Sequence, residues 1–311
     1  MTPARAPSSQ LAARRKLTLV ERLDAYEKLM RLDKPIGVLL LLWPTFSALW
    51  LAANGAPRRS LVLIFAVGTL VMRSAGCAMN DWADRDFDAH VARTAQRPLA
   101  AGVIAPSEAL AVASVGFLVA FLLVLFTNRT TMLWSLPAVA ITIAYPFFKR
   151  FFAIPQAFLG IAFSFGIPMA YAAVQDRVPA FAWLLLAINL FWVVAYDTEY
   201  AMVDRADDVK IGIRTSALTF GRYDVVAVAL CYAAYVVGML WVGHARALGV
   251  VYFAGIAGAA LIAVHHVAMI RARDPAACFR AFLGNHWLGL TVFVAVALDY
   301  AVRAGRWPHQ L

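Results

Sequence analysis

Long apolar runs separated by short polar connections make up most of this chain. Nine runs are close to the length a helix needs to cross a bilayer, about 20 residues. They lie at roughly 36–53, 61–80, 107–127, 130–147, 153–174, 180–196, 224–243, 247–270 and 287–303. A soluble domain with nine such runs would have almost no polar surface left. The pattern predicts an all-α polytopic membrane protein of about nine transmembrane helices. Ahead of the first run, Leu19, Leu23, Tyr26 and Met30 follow helical spacing among Glu21, Arg22, Asp24 and Lys28. That arrangement predicts an amphipathic helix lying in the membrane interface. The chain therefore divides into a basic cytoplasmic segment, 1–34, and a single transmembrane domain, 35–311. The first run is of spanning length behind a long basic stretch, which argues against a cleavable signal peptide. Gly160, Gly166 and Pro168 in the fifth run read as packing and kinking positions rather than a binding loop.

Composition agrees: 62% of residues are hydrophobic and 15% charged, far from soluble averages. Charge sets the orientation. With the N-terminus inside, 20 Lys and Arg fall on cytoplasmic stretches and seven on the opposite side, leaving Arg73 within a span. This follows the positive-inside rule and predicts a multi-pass protein with both acidic windows on the cytoplasmic side and its C-terminus outside. The net charge of +10 is then topogenic charge and attraction to anionic lipid rather than a nucleic-acid surface. Cys77, Cys231 and Cys278 have neither metal-ligand spacing nor a disulfide pattern and read as packing residues. The six His are scattered.

Half of the 18 acidic residues sit in two short windows, Asp81–Asp88 and Asp197–Asp208. Each follows directly on an apolar run. Asp84 and Asp88 are four apart, as are Asp204 and Asp208. At 100° per residue Asn80, Asp84 and Asp88 share one helical face, and so do Asp197, Tyr200, Asp204 and Asp208. Asp86 and Asp207 read as ion-pair partners of nearby basic residues. Two carboxylate faces at the cytoplasmic mouths of two membrane helices read as one cation site in two halves. Carboxylates without thiols or imidazoles favour Mg²⁺, commonly shared with substrate phosphates. Four Asp and a diphosphate ester exceed the charge of two Mg²⁺, and nearby Lys and Arg must offset the difference. Arg93 and Arg97 follow the first window, and Arg205, Lys210 and Arg214 the second.

These segments resemble a known family. The stretch Gly76-Cys-Ala-Met-Asn80-Asp-Trp-Ala-Asp84-Arg-Asp-Phe-Asp88, with Arg93-Thr-Ala-Gln-Arg97-Pro-Leu, resembles the first motif region of the UbiA superfamily of intramembrane aromatic prenyltransferases. The stretch from Tyr196 through Asp204, Asp208 and Arg214 resembles the second. Asp33-Lys-Pro-Ile-Gly-Val-Leu-Leu-Leu-Leu-Trp-Pro44 and Tyr145-Pro-Phe-Phe-Lys149-Arg150 are similar to the branch that acts on 4-hydroxybenzoate. Gln96, Ala100-Ala101 and Ala206 depart from the usual pattern without removing a metal ligand.

The resemblance implies nine helices around a central lateral cavity, with Asn80, Asp84 and Asp88 at one Mg²⁺ position and Asp204 and Asp208 at a second. The four Asp are thereby the expected catalytic set. Arg150 is implied as the partner of the aromatic carboxylate. Lys149, Arg97, Lys210 and Arg214 are candidates for the diphosphate, and Tyr200 for substrate contact. The implied substrates are a polyprenyl diphosphate and 4-hydroxybenzoate. Ionisation of the diphosphate leaves an allylic cation, and the ring carbon ortho to the hydroxyl attacks it, a step of ubiquinone biosynthesis. Two alternatives are a branch with another acceptor and, less favoured because the membrane midplane is nearly free of acids, a cation-coupled transporter.

Overall fold

The computed structural model describes residues 17–91, 93–148 and 150–306. Among them every regular element is a helix. α1 (Leu19–Leu29) is followed by α2 (Ile36–Ala52), α3 (Arg59–Asp88), α4 (Pro106–Val124) and α5 (Arg129–Phe148). Then come α6 (Pro155–Ser164), α7 (Gly166–Gln175), α8 (Ala180–Ile211) and the short α9 (Ser216–Phe220). α10 (Asp224–Ala245), α11 (Val250–Ile270) and α12 (Pro275–Arg306) complete the chain. Eight segments of the described residues are long and apolar enough to span a membrane, α6 and α7 counting as one, and α2 is a shorter apolar helix of 17 residues. Each of the nine expected runs is therefore helical among the described residues, eight of them at spanning length.

The spanning segments form a ring: from α2 onward each packs on the next, α6 and α7 counting as one, and α12 returns to α2. That last contact is an aromatic seam. Phe293 on α12 stacks on Trp43 at 5.7 Å and meets Trp50 edge-on at 5.1 Å. Residues such as Leu118, Leu122, Leu261 and Val264 face outward and exposed, as lipid-facing positions do.

The break between α6 and α7 confirms the kink expected in the fifth run. Gly166 begins α7 where its backbone lies so close to Thr45 that a Cβ would collide with the hydroxyl. Only the smallest residue permits that approach. α1 opens with Thr18, whose hydroxyl accepts from the Glu21 amide while the Glu21 carboxylate accepts from the Thr18 amide at 2.8 Å. This reciprocal cap fixes the start of the amphipathic helix. Its inner face buries Ala25 and Leu29, while Leu19, Val20 and Leu23 stay exposed.

The two helices that carry the acidic windows outrun the membrane, as α12 does with its 32 residues. At 1.5 Å per residue the 30 residues of α3 and 32 of α8 measure about 45 and 48 Å, against a hydrocarbon core of about 30 Å. The surplus turns carry the acidic windows. α3 stops at Asp88, whose carbonyl accepts from the Thr94 hydroxyl at 2.7 Å. α8 stops at Gly212, which adopts φ +72°, the left-handed terminus that favours glycine.

Buried polar contacts hold α8 in place. The Tyr232 hydroxyl of α10 donates to Glu199 Oε1 at 2.8 Å, and Asn285 Nδ2 of α12 donates to Oε2 at 2.9 Å. Trp192 Nε1 donates to Asn285 Oδ1 at 2.8 Å. On another side of the helix, Asn189 donates to Ser164 at 2.8 Å. In an apolar surrounding such groups are costly unless matched, so they fix the position of the helix that carries the second acidic window.

Candidate active site

The last two to three turns of α3, from Asn80 to Asp88, build the first half of the site. Asp81 and Asp84 are each only 1% exposed, and Asp88 is 8% exposed. Asn80 and Asp84 lie on the expected face with Asp88. Asn80 accepts a hydrogen bond from the Tyr145 hydroxyl of α5 at 2.8 Å. Asp81 points elsewhere, accepting from Arg31 at 2.8 and 3.0 Å and from Arg97 at 3.0 Å. Arg97 also donates to Asp88 Oδ2 at 2.7 Å. Burial opposes the charge of Arg97, yet Asp81 and Asp88 outweigh it and raise its pKa above the ordinary value.

The second half lies on α8. Asp208 is buried, and Asp204 accepts a two-pronged contact from Arg93 at 2.5 to 3.0 Å. Arg93 thereby reaches from the loop after α3 to the second acidic window. Its guanidinium lies 4.5 Å over the Tyr200 ring, which also stacks on Phe282 at 4.5 Å. Burial again works against the cation, but Tyr200 and Asp204 raise the pKa of Arg93. Asp224, fully buried at the start of α10, accepts from Arg205 at 2.7 Å and from Arg273 at 2.7 Å, anchoring the residue next to Asp204.

The other expected residues are spread along the same rim. Arg150 is exposed, donates to the Ala83 carbonyl at 2.7 Å, and lies over Phe147 at 5.0 Å and Phe87 at 5.6 Å. Lys210 pairs with Asp207 at 3.0 Å, and Arg214 donates to the Phe151 carbonyl at 2.7 Å. Asp86 lies 3.7 Å from Arg85. The pairing expected for Asp86 and Asp207 is thus present. Lys149 lies outside the described residues.

Below the rim, α2 to α7 surround a largely apolar cavity with about 1110 Å³ of atom-free space, its mouth included. Tyr145 connects the cavity to Asn80. Its lining contains one residue the sequence reading passed over. Arg73 lies two turns deeper on α3 than Asn80 and faces the cavity with Thr142, Tyr145 and Phe163. It donates to Cys77 Sγ at 2.7 Å and lies 5.5 Å from the Phe163 ring centre, while its Nε has no hydrogen-bond partner. Gly37 makes room for it, since a Cβ there would come within 2.5 Å of that nitrogen. Alone in an apolar run, Arg73 has no pattern to announce it, although an ionisable residue inside a span is itself a functional signal.

Among the described residues, no three carboxylates, imidazoles or thiols converge as a ready metal cluster. The donors on α3 and α8 are nevertheless all oxygens, the set that suits Mg²⁺. Arg97 and Arg93 lie against Asp88 and Asp204, holding cationic charge at both halves. The residues fit a hard cation that arrives together with an anionic substrate.

Two acidic helix ends beside a largely apolar cavity suit a membrane enzyme acting on an anionic lipid, and comparison with known proteins agrees. The model of the UbiA prenyltransferase family matches residues 41–290, and the chain belongs to that family. The 4-hydroxybenzoate octaprenyltransferase of Ralstonia nicotianae is 63% identical over 282 residues, covering 91% of this chain and 97% of the relative. A UbiA homolog from Aeropyrum pernix K1, solved in its apo form, superposes with a TM-score of 0.74 at 25% identity, covering 86% of this chain and 98% of that one. A UbiA homolog from Archaeoglobus fulgidus, bound to GPP and Mg²⁺, shares the fold with a TM-score of 0.64 at 16% identity, covering 88% and 99%.

Proposed function

We propose that this enzyme transfers a polyprenyl group from a polyprenyl diphosphate to the carbon ortho to the hydroxyl of 4-hydroxybenzoate, releasing diphosphate, as a step of ubiquinone biosynthesis. The observation that carries the reading is Tyr145, which lines the apolar cavity and hydrogen-bonds Asn80 of the first acidic cluster. A lipid tail in the cavity would bring its diphosphate to that cluster. The name of the 63% identical relative supports the same acceptor.

Asn80, Asp84 and Asp88 on one helix and Asp204 and Asp208 on the other would hold Mg²⁺. Bound there, Mg²⁺ would supply the positive charge that offsets a departing diphosphate. Arg97, already beside Asp88, would donate to the diphosphate oxygens, with Lys210 and Arg214 as further candidates on the rim and Lys149 a candidate from its sequence motif alone. The apolar walls keep water from the allylic cation that ionisation leaves. Aromatic faces can stabilise such a cation; Tyr145 and Phe163 line the cavity, whereas Tyr200 already holds Arg93.

For the aromatic carboxylate the fold offers two arginines. Arg150 sits on the rim, stacked and bonded to the α3 backbone. Arg73 lines the cavity, while its Nε, packed against Gly37, has no hydrogen-bond partner. Seven residues of α3 separate Arg73 from Asn80, a rise of roughly 10 Å, enough to place a para-substituted ring between the guanidinium and the acidic cluster. That spacing favours Arg73. A planar guanidinium can hold a carboxylate with two parallel hydrogen bonds.

Purified protein given Mg²⁺, polyprenyl diphosphates of several lengths and competing aromatic acids is expected to yield 3-polyprenyl-4-hydroxybenzoate, identified by mass spectrometry. Preferential prenylation of a different acceptor would assign the chain to another branch, and no Mg²⁺-dependent diphosphate release would remove the transferase reading. The orientation proposed from charge puts the N-terminus and both acidic windows in the cytoplasm of a bacterial inner membrane. Cysteine labelling should then reach positions near 90 and 215 only from the cytoplasmic side, and those near 57, 176 and 245 only from the other. The reverse pattern, or both termini on one side, would overturn it.

A further inference from the structure

The acidic window of α3 is tied to a residue outside both motifs. Arg31 lies just beyond α1 with φ +57°, a backbone region that L side chains rarely adopt. Its guanidinium turns back over its own helix, where Nη1 donates to the Lys28 carbonyl at 2.6 Å. Nη2 meanwhile reaches both oxygens of Asp81. The helix behind it is firmly seated, since the Tyr26 hydroxyl donates to Glu108 at 2.8 Å and Arg22 pairs with the same carboxylate at 3.1 Å. An unfavourable backbone held by so many contacts points to a role for the side chain.

The charges alternate in a row: Arg31, Asp81, Arg97, Asp88. Both arginine side chains are 17% exposed and Asp81 is 1% exposed. Asp81 gives Arg97 a share of only one oxygen, because Arg31 contacts both. Arg97 thus keeps its contact with Asp88, toward the site.

We propose that Arg31 is a positioning residue: by saturating Asp81 it stops that carboxylate from drawing Arg97 away from the diphosphate. Without Arg31, Asp81 is a buried anion with one remaining partner. The lowest-energy response is for Asp81 to take the Arg97 fork with both oxygens, which pulls the guanidinium off Asp88. This inference rests on the reading that the diphosphate binds beside Asp88.

The test uses full-length protein in nanodiscs, with binding of Mg²⁺-pyrophosphate and the KM values of both substrates as readouts. Saturable Mg²⁺-dependent pyrophosphate binding by the unaltered protein checks the underlying reading, and its absence would sink that reading before Arg31 is addressed. Arg31→Gln is expected to raise the prenyl diphosphate KM about five- to twentyfold, the scale of one charge-assisted contact partly lost, with the aromatic KM unchanged. Adding Asp81→Asn to Arg31→Gln removes the competing anion and should lower that KM again. Arg31→Lys, which keeps the charge without the fork, should fall between the unaltered protein and Arg31→Gln, and it serves if Arg31→Gln does not fold. A double variant worse than Arg31→Gln, or equal shifts in both KM values, would show that Arg31 supports the fold only and overturn the proposal.

Discussion

Asp84→Ala and Asp208→Ala are each expected to lower turnover by at least about a thousandfold while the protein still inserts and folds. Asp84 is buried on the face shared with Asn80 and Asp88, and Asp208 is buried on the opposite helix. Each carboxylate is expected to hold part of the positive charge that makes diphosphate a leaving group. Removing one electrostatic partner of a departing oxyanion typically costs 10²- to 10³-fold, and a lost metal position should cost more. Asp86→Asn and Asp207→Asn should fall within about tenfold of the unaltered protein, because those side chains pair with Arg85 and Lys210 instead. Single-turnover assays on protein shown to be monodisperse would measure this. Near-normal activity of a well-folded Asp84→Ala or Asp208→Ala variant would remove that residue from the ligand set.

The second large effect separates the two arginines. Arg73→Ala is expected to reduce kcat/KM for the aromatic acid by about 10- to 150-fold, leaving the prenyl diphosphate KM unchanged. That range corresponds to the roughly 1.5–3 kcal/mol of a charge-assisted contact in a partly dry site. Arg73→Lys should recover only part of the loss, because an ammonium keeps the charge and lacks the fork. Arg150→Ala should cost less than about threefold, since its guanidinium is spent on the Ala83 carbonyl and two aromatic rings. The reverse pattern would return the carboxylate to Arg150. Equal loss for both substrates in Arg73→Ala would mark that residue as structural.

These two residues show what the sequence could and could not disclose. Apolar run length located the spans, because bilayer thickness imposes it directly. Helical spacing put Asn80, Asp84 and Asp88 on one face, because α3 continues through the polar window without a break. The contacts that organise the site were different in kind. Arg93 meets Asp204 across 111 residues and Arg31 meets Asp81 across 50. No local periodicity encodes such distances, since the packing of the ring sets them. Arg150 has a conspicuous place beside Lys149, whereas Arg73 sits alone in an apolar stretch, and its surroundings become visible only when Gly37, Phe163 and Tyr145 are folded around it.

The aromatic seam between α2 and α12 gives the ring a history as well as a shape. Its two sides lie at nearly opposite ends of the chain, starting at Ile36 and Pro275. At synthesis rates of 5–20 residues per second, α12 leaves the ribosome roughly 12 to 50 s after α2. Throughout that interval Trp43 and Trp50 have no Phe293 to close on, and Glu199 has no Asn285. The barrel of helices is therefore an open arc for most of its birth, and its last helix both seals the wall and supplies the missing partner of the helix that carries Asp204 and Asp208.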